Sequence, residues 1–98
     1  VVSSGSFLIS TADAGTQGDS GSINVTTGLS EFGHSGSLTL STGEALQSES
    51  GDIFVQPGVA QQQEGGNVDI TAGESTVANG GSIKMTGGDS KMLNDFII

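Results

Sequence analysis

"GSINVTTG", Gly21 to Gly28, returns as "GSLTLSTG" at Gly36 to Gly43 and as "GSIKMTGG" at Gly81 to Gly88. With Gly51 and Gly66 added, the opening glycines fall every 15 residues from Gly21 to Gly81. An earlier block opens at Gly5 and runs 16 residues. The blocks are therefore 5–20, 21–35, 36–50, 51–65, 66–80 and 81–93, with a partial one at 94–98 where "NDFII" replaces "GSIKM". A fixed period of this length is the mark of a repeat architecture.

The columns of the register carry the physical content. The third place holds Phe7, Ile23, Leu38, Ile53, Val68, Ile83 and Phe96, and the fifth holds Ile9, Val25, Leu40, Val55, Ile70, Met85 and Ile98. Apolar residues two apart between polar neighbours give the period of a strand with one covered face. The fourth place (Leu8, Asn24, Thr39, Phe54, Asp69, Lys84, Ile97) is mixed and is expected to face outward. The eighth place is Gly28, Gly43, Gly58, Gly73 and Gly88, with Ala12 as the exception, and suits corners needing positive φ or close backbone approach. The tenth (Ala14, Ser30, Ala45, Ala60, Ser75, Ser90) is always small and is expected to fill a narrow inward position.

These columns predict an all-β fold, a parallel β-solenoid of about six 15-residue coils with glycine corners. Ile23, Val25, Leu38, Leu40, Ile53, Val55, Val68, Ile70, Ile83 and Met85 would stack into its core ladders. Helix is not expected, since glycine and β-branched residues dominate and no 3.6-residue period occurs. The second fold weighed is a triple β-spiral, three intertwined chains as in fibre shafts, which the turn-like "VQPG" at 55–58 suits. Against it, the ninth place reads Asp13, Leu29, Glu44, Val59, Glu74 and Asp89, a poor lining for a trimer axis.

Composition agrees with a slim repeat rather than a globular core. The 98 residues include 17 Gly, four Phe and no Trp, Tyr or Cys. Such composition predicts disorder unless it is periodic. The formal charge of −9 argues against nucleic acid, whose phosphates need Lys and Arg, and against anionic lipid. No apolar run approaches the roughly 20 residues that span a bilayer, so membrane insertion is not expected. Without cysteine, neither disulfides nor thiolate metal sites arise. The chain opens "VVSSGS" and is read as a segment of a longer protein.

"GSINVTTG", "SGSLTLSTG" and "GGNVDITAG" resemble the Gly/Ser/Thr-rich repeats of extracellular algal and microbial surface proteins, adhesins and filament proteins. The resemblance covers residues 5–98 and implies a non-enzymatic structural or adhesive role outside the cell, with no catalytic residues and no cofactor to carry over. Possible partners are other components of an extracellular matrix or surface. The array itself is expected to continue into further coils or stack end to end. Val1-Val2 and Phe96-Ile97-Ile98 are apolar, and Asp95 is the one nearby charge guarding the edge.

Candidate chemistry is sparse. His34 lies between Gly33 and Ser35 without an elbow-type serine motif and reads as a solvated loop residue. The acids do not keep the Gly-Gly-x-Gly-x-Asp spacing of calcium β-rolls; they are expected to serve solubility, with weak cation binding along the ninth-place edge as the alternative. Carbohydrate cleavage on a β-helix would want paired carboxylates and an aromatic platform, and the chain has no Trp or Tyr. An ice-binding threonine ladder at the sixth and seventh places is interrupted by Gln56-Pro57. "NVT" at 24–26 fits the glycosylation acceptor pattern and makes Asn24 the expected glycan site on a eukaryotic secretory route.

Overall fold

The computed structural model describes residues 2–90. Two units divide the chain, Val1–Asp52 and Ile53–Ile98. Among the described residues there is no helix and no strand, and no side chain is buried.

The 15-residue period survives as a period of loops. In the first unit, Thr27 meets Gly36 and Thr42 meets Gly51. A Cβ built on Gly36 or Gly51 would sit 3.7 Å from the threonine side chain in each case. The hydroxyl of Thr27 donates to the Gly36 carbonyl oxygen at 3.2 Å, and that of Thr42 to the Gly51 carbonyl oxygen at 3.0 Å. The seventh place of one block thus closes on the first place of the next. The bends between them lie at residues 31–33 and 46–48. In the 16-residue block the same closure joins Thr11 to Gly21, with the Thr11 methyl 3.4 Å from a Cβ at Gly21. The extra residue is absorbed inside that loop, whose turn falls at 16–18.

The second unit repeats the pattern with different chemistry. Pro57 stands against Gly66, 3.1 Å from where a Cβ would be, so a larger residue there would need the Pro57 ring to give by a few tenths of an ångström. Ala72 stands against Gly81, and the Gly81 N–H donates to the Gly73 carbonyl oxygen at 2.9 Å. The bends are at 61–63 and 76–78. Compact segments with adjoining ends and a bend between them are small Ω-type loops.

The parallel β-solenoid is overturned. A solenoid needs a ladder of main-chain hydrogen bonds from coil to coil, yet the one main-chain bond among the described residues lies inside loop 72–81. Nor does the chain turn at the expected corners. No described glycine has positive φ, and a Cβ at Gly28, Gly43, Gly58, Gly73 or Gly88 would meet nothing within 4 Å. The chain bends instead at the eleventh to thirteenth places. The ten residues expected to form core ladders, Ile23, Val25, Leu38, Leu40, Ile53, Val55, Val68, Ile70, Ile83 and Met85, are all exposed. The period of two marks them as sharing a face, and no segment of either unit covers that face. Phe96, Ile97, Ile98, Asp95 and Val1 lie outside the described residues.

Candidate functional site

The feature that recurs in both units is a row of uncovered apolar side chains between closed loops. Third-place Ile23, Ile53, Val68 and Ile83 are 50–54% exposed, whereas fourth-place Leu8 and Phe54 are 84% and 83% exposed. Four of the six described third-place residues are thus partly shielded by their own main chain. Leu38 and Phe7, however, are 67% and 87% exposed and the fifth place is 65–87% exposed, so no strand-like alternation runs through both columns.

The loops that separate these segments are held by small polar groups. Ser30 Oγ accepts from the Gly33 N–H at 3.1 Å. Ser75 Oγ accepts from the Ala78 N–H at 2.9 Å and from the Val77 N–H at 3.4 Å. A serine hydroxyl satisfying main-chain donors two and three residues on is a local device for bending the chain. At Ser30 and Ser75 the tenth place thus sits at the base of a bend, and the narrow inward position expected for the column does not occur, since no described side chain is buried. Among the described residues Ser75, Pro57 and Ala72 are half-buried, and each belongs to a loop closure or bend. Sequence reasoning missed Thr27 and Thr42 as structural residues, and placed Ser75 in the small tenth column for a different reason. The signal for the threonines was their recurrence at the seventh place in the first three blocks, nine or ten residues before the glycine that opens the next.

Asn24 is exposed, as an acceptor asparagine must be, and so is His34. Among the described residues no pocket is present, and no group of three or more His, Asp or Glu stands close enough to hold a metal ion. No helix of the described residues is long and apolar enough to cross a membrane. The hydroxyls of Thr27 and Thr42 are spent on carbonyl oxygens of their own chain, which leaves them less free to order water in a threonine ladder.

Comparison with known family models, with characterised proteins and with solved structures finds no match to this chain.

Proposed function

We propose that the chain is a structural or adhesive repeat segment of an extracellular filament or cell-surface assembly, acting by association and without catalysis. One observation carries this reading: apolar side chains are presented at a regular interval with nothing in their own unit to cover them. Exposed apolar surface beyond a few hundred Å² marks an interaction site. The repeat phrases, which resemble those of surface and filament proteins, support the extracellular setting, and the charge of −9 keeps the array soluble between contacts. Asn24 is the position where a glycan would be attached.

Immunogold electron microscopy of the native material tests it. Label spaced along a filament or over the cell surface is the expected result, and label confined to the cell interior would overturn it.

A further inference from the structure

We infer that the apolar rows are covered by further copies of this same chain, lying alongside it, parallel and in register. This deepens the reading above and rests on it, because it names the partner of those rows.

Exposure comes first. Every third- and fifth-place apolar residue among those described is at least half exposed, from 50% at Ile53 and Val68 to 87% at Phe7 and Met85, a regular run of apolar surface of the kind that association covers. Hydrogen bonding points the same way. A chain of this length ordinarily makes about one internal hydrogen bond per residue. Here a single main-chain bond is present among the described residues, which leaves the segments between loops with free donors and acceptors.

Chemistry then selects the partner. None of the 11 acids and two lysines falls at the third or fifth place, so contact through Ile23, Val25, Ile53, Val68, Ile70 and Ile83 buries no charge. A surface with the same 15-residue spacing is needed to meet every row, and the chain itself has it. Block lengths favour a parallel copy with no offset, because it alone sets the longer loop 11–21 beside its equal and the shortened block 81–93 beside its own. A shifted copy leaves a row unmet at each end, and an antiparallel one faces the longest block with the shortest. Neighbouring segments of such copies would run about 4.8 Å apart, within main-chain hydrogen-bonding distance.

The absence of cysteine makes the test clean. Single-cysteine variants Thr39→Cys and Lys84→Cys of the 98-residue chain are mixed and oxidised, and the mass of the unaltered chain is followed by sedimentation equilibrium. The expected results are masses at multiples of 9.7 kDa and bridges joining T39C to T39C and K84C to K84C. Mixed T39C–K84C bridges should be rarer by about tenfold or more, since bridging needs Cα atoms within about 7 Å. Ile53→Asp should weaken association by about 100-fold, by placing an unpaired charge in the contact, with the uncharged Thr39→Asn as the near-silent control. A 9.7 kDa species at every concentration, mixed bridges as frequent as like ones, or an Ile53→Asp chain that associates as before would each overturn the inference. The two readings fail separately. A monomer from material that labels filaments refutes lateral pairing alone, whereas in-register oligomers of a protein found only inside cells refute the extracellular role alone.

Discussion

Thr42 donates its hydroxyl hydrogen to the Gly51 carbonyl oxygen across 3.0 Å, and 15 residues earlier Thr27 does the same to Gly36. The bond reaches nine residues along the chain and ties the end of one block to the start of the next. In the second unit the same place is Pro57 and Ala72, and the close approach to the next block's first glycine is made there without a hydroxyl.

Removing that bond should open its loop alone. Thr42→Val keeps the shape and deletes the donor, at a cost of about 1 kcal/mol, which is roughly a fivefold rise in the open population of loop 42–51. Carbonyl and amide chemical shifts of Gly51 would report it. Thr39→Val, on the neighbouring segment, should leave those shifts in place.

Glycine matters at the first place and hardly at the eighth. Gly66→Ala brings a methyl group to 3.1 Å from Pro57 Cβ and should spring loop 57–66. Gly58→Ala meets nothing within 4 Å and should be neutral or stabilise by about 0.4–1 kcal/mol through the unfolded chain. Comparing nuclear Overhauser contacts between residues 57 and 66 in the two variants checks the order. Equal disturbance by both would contradict it.

The bend at 76–78 depends on Ser75. Ser75→Ala leaves the Ala78 and Val77 N–H groups without their acceptor and should raise Ala78 amide exchange severalfold, in line with a loss of about 1 kcal/mol. Ala45→Ser is the converse change, supplying a hydroxyl to the bend at 46–48, and should slow exchange at Ser48.

Salt should strengthen self-association. Parallel copies in register set like charges side by side, −9 against −9, while the contact itself is apolar. Raising ionic strength from 0.01 to 1 M shortens the screening length from about 30 to about 3 Å and removes most of that repulsion. The association constant from sedimentation should rise about tenfold or more; a fall would mean that ion pairs hold the copies together.

Asn24 gives a yes-or-no outcome. Secreted from a eukaryotic host, the chain should gain a glycan mass removed by an Asn-specific amidase and lost in Asn24→Gln. An unmodified chain would show that the exposed Asn-Val-Thr sequence is passed over.

Much of the local organisation was legible in the residues. The register placed the 15-residue blocks and the extra residue in the first of them, and bends recur at that interval. The fourth place is not set apart in the first block, where Phe7 is 87% exposed and Leu8 84%. The corners were misplaced. Gly28 and its equivalents attracted attention as glycines, although a glycine marks a turn only where φ is positive or atoms crowd it, and here neither holds. The tightest approaches are at Gly66, which opens a block, and at Gly80, which the register does not single out; a Cβ at either would lie 3.1 Å from its nearest neighbour.

By itself, the sequence determined the 15-residue period, the acidic balance and the two apolar columns, because each is a matter of residue type and spacing. Tertiary structure alone decided where the chain bends and that neither unit covers its own apolar residues. The reason is physical: alternation specifies which side chains share a face, but the cover for that face depends on which backbone comes alongside. A hydroxyl reaching a carbonyl nine residues away, as Thr42 reaches Gly51, settles that path through geometry that no single column contains.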